Sequence, residues 1–186
     1  MSLSYRIISG ELGGRILKAP KELPVRPTKN QVKESLFNII QHKIELKEAK
    51  VLDLFCGLGS VSFEFISRGA NVSAVDYSSG CIDFIKSAAY KLMVSILTYR
   101  SDVFEYLEKD QLNYDIVFAD PPYNLEAKDY QLLIDTVLSE ENLFQGLLIL
   151  EHSPKIKIDQ STCCIDSRKY GSTCLSIFQK PTSSED

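Results

Sequence analysis

The chain has no tryptophan, two methionines and two histidines, His42 and His152. Its five cysteines, Cys56, Cys81, Cys163, Cys164 and Cys174, are odd in number and contain no Cys-x-x-Cys pair. Those scarcities argue against a structural zinc site and against a disulfide framework. No apolar run approaches the length of a membrane span, and the first residues lack the apolar block of a signal peptide. Internal repeats and low-complexity segments are also missing. These absences lead us to expect a cytoplasmic chain in a reducing setting, with no metal, no membrane contact and a monomeric state. What remains is ordinary globular material: 186 residues, 44% hydrophobic and 25% charged, enough for one domain and a small extension.

The net charge of −4 opposes a wholly basic nucleic-acid binder, yet the charge is unevenly spread. Up to residue 35 there are seven basic residues (Arg6, Arg15, Lys18, Lys21, Arg26, Lys29 and Lys33) and three acidic ones. This segment therefore carries +4 and the rest carries −8. A basic arm on an acidic body suits either a local polyanion contact or a solvated charged face. Within the arm, strand-like runs 5–8 and 15–18 flank the glycine-rich stretch 9–14, which predicts a β-hairpin. A lone hairpin is marginal, so it must pack on the body or on a substrate. Pro20, Pro24 and Pro27 make a stiff link. Thr28 with Gln31 fits a capping box, predicting a helix from Thr28 that buries Val32, Leu36, Ile39 and Ile40. Phe37 lies beside that stripe and reads as a core contact.

From residue 51 the pattern alternates. Strands are predicted at 51–55, 72–75, 94–98, 116–119 and 147–151, then near 163–166 and 173–178. Helices are predicted at 60–68, 79–90, 103–109 and 128–139. Such alternation implies an α/β, doubly wound, mostly parallel seven-stranded sheet of Rossmann-like type. The short 167–172 connection, with Gly171, makes the last strand antiparallel. We expect an N-terminal extension over 1–45 (hairpin, proline-rich link and helix), a main domain over 46–180 and a frayed tail over 181–186.

Four corners carry chemistry. Asp120-Pro121-Pro122-Tyr123 follows a buried strand, and two prolines force the chain out of the sheet. One carboxylate, a proline carbonyl and an aromatic ring then stand at a strand's carboxyl end, where ligands of open α/β sheets bind. The set suits an exocyclic amine on a flat base: two acceptors for its hydrogens and a ring to stack on it. Asp53-Leu54-Phe55-Cys56-Gly57-Leu58-Gly59 turns off the first strand of the main domain. Its two glycines admit a close ligand, but Ser62 stands where a dinucleotide fingerprint needs a third glycine. The nearby Asp53 disfavours a bare pyrophosphate and favours a ligand bearing an ammonium group. Asp76 ends the next strand and can accept ribose hydroxyls, or cap the following helix. Asp102 suits an adenine amino group, and a helix N-cap equally well.

Taken together, these corners resemble the S-adenosylmethionine-dependent methyltransferases, and within them the amino-methylating group marked by Asp/Asn-Pro-Pro-Tyr. Arg6-Ile7-Ile8-Ser9-Gly10, Gly14-Arg15-Ile16-Leu17, Arg26-Pro27-Thr28, Val32-Lys33-Glu34 and Leu36-Phe37-Asn38 resemble the bacterial family that methylates guanine N2 in small-subunit (16S) ribosomal RNA. Glu151 and Arg168-Lys169-Tyr170-Gly171 resemble that family's closing segment. The resemblance implies S-adenosylmethionine held by Asp53, Phe55, Gly57, Gly59, Asp76, Tyr77, Asp102 and Val103. It implies catalysis by Asp120, Pro121, Pro122 and Tyr123. It also implies 16S rRNA in the small subunit as partner, contacted by Arg6, Arg15, Lys18, Arg26, Thr28 and Tyr123. Two positions depart from the family: Gln31 stands where a basic residue is frequent, and Asp76 where glutamate is frequent. Three rivals stand beside this reading: an adenine-N6 or cytosine-N4 methyltransferase, a nicotinamide dehydrogenase and a non-catalytic RNA-binding assembly factor.

Overall fold

In the computed structural model, which describes residues 3–20, 23, 28–110, 112–122, 124–139, 144–158 and 163–180, the uninterrupted apolar runs form the middle of a sheet. Its strands are β3 (Lys50–Leu54), β4 (Asn71–Asp76), β5 (Leu97–Arg100), β6 (Ile116–Ala119), β7 (Leu147–His152), β8 (Cys164–Tyr170) and β9 (Thr173–Phe178). They lie in the order β5-β4-β3-β6-β7-β9-β8. The first five are parallel, and β9 runs antiparallel between β7 and β8. Every residue of β6 and β7 is buried, as expected of strands covered on both faces.

Strand alternation sorts the core into layers. Val51, Ile116, Phe118, Leu147 and Ile149 pack against Val32, Leu36 and Ile40 of α1 (Asn30–Ile40) and Phe65 of α2 (Ser62–Ile66). Leu52, Val117, Leu148 and Leu150 face the other way, against α4 (Val103–Leu107) and α5 (Ala127–Val137). The strand order reverses between β3 and β6, so the crevice beyond their carboxyl ends is the topological switch point of the sheet.

The hairpin of β1 (Leu3–Arg6) and β2 (Ile16–Ala19) is antiparallel and does not stand alone. Tyr5, Ile7, Leu12 and Leu17 join Leu58, Phe63 and Ile85 of the main body, the last on α3 (Ser79–Leu92). Tyr5 donates its hydroxyl to the Leu58 carbonyl at 2.7 Å. Beneath the hairpin, the fully buried Lys33 donates to Glu64 Oε1 at 2.9 Å and to the Arg6 carbonyl at 2.8 Å. The same Glu64 oxygen accepts the Ile8 N–H at 2.8 Å, while Oε2 pairs with Arg68 at 2.7 Å. Gly10 seats the hairpin turn on α2. A Cβ there would lie 1.9 Å from the Ser67 carbonyl oxygen, and its φ of +83° suits glycine alone.

Several boundaries differ from the sequence reading. Helix α1 starts at Asn30, with Lys29 as N-cap and no side-chain cap. The predicted Thr28–Gln31 capping box is absent because Thr28 is tied elsewhere: its N–H donates to Ser60 Oγ at 3.3 Å. Helix α3 runs on to Leu92 and closes through Met93 in the left-handed region. That closure displaces the predicted 94–98 strand to β5 at Leu97–Arg100. Helix α2 is one short turn rather than the span 60–68. Arg26, Tyr123, Pro24, Pro27 and the tail 181–186 lie outside the described residues. Among the described residues, no helix is long and apolar enough to cross a membrane.

Removing one member of a buried ion pair strands its partner's charge, at a cost of about 3–5 kcal/mol. Glu64→Ala is therefore expected to lower the unfolding free energy by an amount in that range, read as a lower urea midpoint with an unchanged slope. Lys33→Met, which leaves Glu64 paired to Arg68, is expected to cost less.

Candidate active site

The edge beyond the carboxyl ends of β4, β3, β6 and β7 carries Asp76, Asp53, Asp120 and Glu151. Register places them closely. Leu54 is level with Val75 and Ala119, and Ala119 with Leu150. The next level outward therefore holds Asp76, Phe55, Asp120 and Glu151, with Asp53 two residues deeper. Alternation puts Asp53, Asp120 and Glu151 on the face shared with Val51, Phe118 and Ile149, beneath α1. Neighbouring strands lie about 4.8 Å apart, so one face collects several carboxylates within a few strand spacings.

Each carboxylate is held differently. Asp53 is 1% exposed and accepts a short hydrogen bond from Ser62 Oγ. Burial pushes its pKa up to about 7, against the opposing pull of Ser62, and the fields of Asp120 and Asp76 add to the rise. Asp76 accepts the Gly57 N–H at 2.8 Å and the Ser78 N–H at 2.8 Å, tying the glycine turn to the end of β4. Burial pushes Asp120 up to about 7. Glu151 rises to about 8, through burial first and the charge of Asp120 second, with Lys29 opposing. Lys29 precedes α1, so the start of that helix overlies the edge, and the Thr28–Ser60 bond anchors it there.

The turn after β3 is built for close approach. Phe55, Gly57 and Gly59 all have positive φ. At Gly59 a Cβ would meet Ile85 Cγ1 at 3.0 Å. Phe55 holds a left-handed conformation that disfavours side chains, and such strain gathers at ligand sites. Tyr77, directly after Asp76, is 73% exposed and offers a ring at the same edge. Val103 is buried under the adjoining corner. Asp102 accepts from the Phe104 and Glu105 N–H groups at 2.8 and 3.3 Å, so here it serves as the N-cap of α4. Pro121 is buried beside Asp120, and the Pro122 carbonyl accepts the Leu125 N–H at 3.1 Å. Arg6, Arg15 and Lys18 are exposed along the hairpin rather than at the edge itself.

Sequence reasoning missed three members of the site. Ser62 was noted only as a glycine that was not there, yet it is the donor that holds Asp53. Ser60 and Lys29 carried no recognisable pattern, because the contact between the extension and the glycine turn joins residues about thirty positions apart. Glu151 entered only as the end of the predicted 147–151 strand and as part of the family-like closing segment, and its meaning depends on Asp120 across the strand pair.

The concentration of negative charge fits a cationic ligand. S-adenosylmethionine carries an ammonium and a sulfonium, and a buried carboxylate with its proton affinity raised to about 7 gains most from such a partner. Among the described residues no three His, Cys, Asp or Glu side chains converge as a metal cage.

The acidic row also sets a pH dependence. Asp53, Asp120 and Glu151 bind protons more tightly in the folded chain than in the unfolded one. The stability they contribute is therefore full below the ordinary carboxylate range and is lost as pH rises through 7 to 8. The ligand-free protein is expected to show a lower urea midpoint at pH 8.5 than at pH 6. Asp120→Asn is expected to shrink that drop; an equal drop in the variant would remove Asp120 from the coupled row.

Comparison with known proteins places the chain in a family. The family model described as conserved hypothetical protein 95 matches residues 5–179. The Bacillus subtilis protein named "Putative rRNA methyltransferase YlbH" is 33% identical over 186 residues, covering 94% of this chain and 98% of that one. Ribosomal RNA small subunit methyltransferase D of Escherichia coli K12 is 33% identical over 121 residues, covering 63% of this chain and 60% of that one. Among solved structures, the T. thermophilus 16S rRNA N2 G1207 methyltransferase (RsmC), in complex with AdoMet and guanosine, superposes with a TM-score of 0.76 at 16% identity. That match covers 97% of this chain and 50% of that chain, and it bears on the fold alone. A match along nearly the whole length, together with a relative of the same extent, leads to one assignment: the chain belongs to the conserved hypothetical protein 95 family, among proteins of the small-subunit rRNA methyltransferase D type.

Proposed function

We propose that this protein transfers a methyl group from S-adenosylmethionine to the exocyclic N2 of a guanine in 16S ribosomal RNA. The observation that carries the reading is the juxtaposition of Asp120-Pro121 with the Asp53–Gly59 turn across β3 and β6. One element supplies acceptors for an amine, and the other an acidic, glycine-lined seat for a cationic nucleoside. The family's ribosomal RNA methyltransferases point to the same substrate. We place the cofactor along Asp53, Phe55, Gly57, Gly59, Asp76, Tyr77, Asp102 and Val103, and the target base against Asp120 to Tyr123.

The cofactor supplies, when bound, an electrophilic methyl group on a positively charged sulfur. The chain's own residues do the rest. A guanine amine is a poor nucleophile because its lone pair is delocalised into the ring. Asp120 and the Pro121 carbonyl accept its two hydrogens, favour a more tetrahedral nitrogen and aim the lone pair outward. Alignment and fixed dipoles are the main sources of acceleration. Forming the new C–N bond obliges the nitrogen to release one proton, and Asp120, with its pKa raised to about 7, can accept it. Asp76 holds the glycine turn in place through Gly57 and retains further acceptor capacity for ribose hydroxyls.

The extension over 1–45 serves as a cover over the cofactor and as a basic arm for RNA. Arg6, Arg15 and Lys18 are exposed on the hairpin, Thr28 is tied to Ser60 at the edge, and Arg26 completes the proposed set of RNA contacts. An acidic body disfavours tight binding to bare RNA, so the substrate is an assembled or assembling 30S particle. The protein acts as a monomer in the cytoplasm.

Three experiments test this reading. Labelled S-adenosylmethionine given to 30S particles from a strain without the enzyme is expected to yield N2-methylguanosine. Asp120→Ala is expected to abolish that product while leaving cofactor affinity within a few-fold; wild-type turnover by the variant would refute the role of Asp120. Neutralising Arg15, Lys18 and Arg26 together is expected to weaken particle binding and reduce the slope of log K against log salt. An unchanged slope would place the RNA surface elsewhere.

A further inference from the structure

Glu151 has no place in the transfer step, yet it is the most conspicuous unfulfilled group among the described residues. It is 9% exposed, and its Oε2 is the one buried side-chain oxygen or nitrogen without a hydrogen-bond partner among the described residues. Native proteins rarely leave such an atom unpaired, because its lost hydration is not repaid. Its position is set on both sides. The β6–β7 register puts it level with Asp120, one strand away, and β9 pairs Leu175 opposite it. Alternation turns it to the same face as Asp120, and the two carboxylates feel each other's charge.

Two adjacent carboxylates at the base-binding corner present two acceptors side by side. Among the bases that bear an exocyclic amine, only guanine offers the matching pair: the N2 amine and, beside it, the ring N1–H. Adenine and cytosine put an acceptor nitrogen, N1 or N3, next to their amines, which would set a lone pair against a carboxylate. We propose that Glu151 accepts the N1–H of the target guanine, and so selects guanine over the other two bases. The inference rests on the guanine-N2 reading above and extends it from the reaction to the choice of base. A bound N1–H gives Oε2 the donor it lacks, and the nearby cationic cofactor favours the ionised form that accepts it. A site built around a particular donor rejects analogues without it far more strongly than an apolar pocket can.

The test uses 2-aminopurine, which keeps the amine but has an acceptor at N1. Once the wild-type product has been mapped, 16S RNA bearing guanine or 2-aminopurine at that nucleotide is assembled into 30S particles. The particles are then methylated with labelled S-adenosylmethionine. The wild type is expected to prefer guanine by at least about fifty-fold in kcat/KM. Glu151→Gln, whose amide can donate to N1, is expected to narrow that ratio at least about tenfold and to methylate 2-aminopurine faster than the wild type does. Glu151→Ala is expected to lose guanine activity with no gain on 2-aminopurine. Urea midpoints and cofactor affinity identify any variant that has lost its fold. An unchanged ratio in a folded Glu151→Gln enzyme overturns the proposal, as does a wild type that prefers 2-aminopurine, which would mean that Glu151 donates a proton. If the wild type makes no N2-methylguanosine at all, the guanine reading itself falls, before any variant is compared.

Discussion

Carboxylates gathered on one face of one sheet edge repel each other, and that repulsion shapes everything around them. Asp53, Asp76, Asp120 and Glu151 reach this edge because four parallel strands, adjacent in the sheet, all end there. Three of them are stabilised by different local devices: a serine hydroxyl for Asp53, two backbone N–H groups for Asp76, the field of Lys29 for Glu151. Together these devices leave the edge short of positive charge. A ligand with an ammonium and a sulfonium supplies what is missing, and a base that presents hydrogen-bond donors adds to it. The same deficit costs the free protein stability, and under the proposed reading it becomes affinity and discrimination in the complex.

The N-terminal extension is held by the opposite electrostatic arrangement. Lys33, Glu64 and Arg68 form a buried network in which each charge has a partner, and backbone groups of Arg6 and Ile8 take the remaining positions on Lys33 and Glu64. Buried ion pairs contribute little net stability, but they penalise any other arrangement of the elements that carry them. Here they fix hairpin, α1 and α2 in one relation. Lys29 and Thr28, at the start of α1, are thereby delivered to the acidic edge. The basic residues of the hairpin remain outside, free to meet a polyanion. A small appendage thus reaches the acidic edge without taking part in the main sheet.

The alternation of apolar runs and amphipathic segments made the sheet and most of its helices legible, because burial on both faces leaves continuous hydrophobic stretches that survive any detail of packing. Boundaries were less legible. The N-terminus of α1 shifted because a serine from the glycine turn claims the Thr28 N–H that local capping rules assign to a side chain nearby. Strand β5 shifted because α3 ran two residues beyond its predicted end and closed on a left-handed Met93. Asp102 was readable as a helix cap, and the structure uses it so. Ser62 was visible only by default, and the Lys33–Glu64 clasp was not visible at all, since its members are thirty-one residues apart.

By itself the sequence determined which residues end the strands, what chemistry they bring and that the arm is basic while the body is acidic. Those are properties of composition and period, carried by each segment alone. Only the tertiary structure decided the strand order, and with it that Asp120 stands between Asp53 and Glu151 rather than at a distant edge. It also decided that, among the described residues, one carboxylate oxygen is left buried and unpaired. Neighbours across a parallel sheet are chosen by packing between distant segments, so the meeting of these side chains is written in no single stretch of the chain.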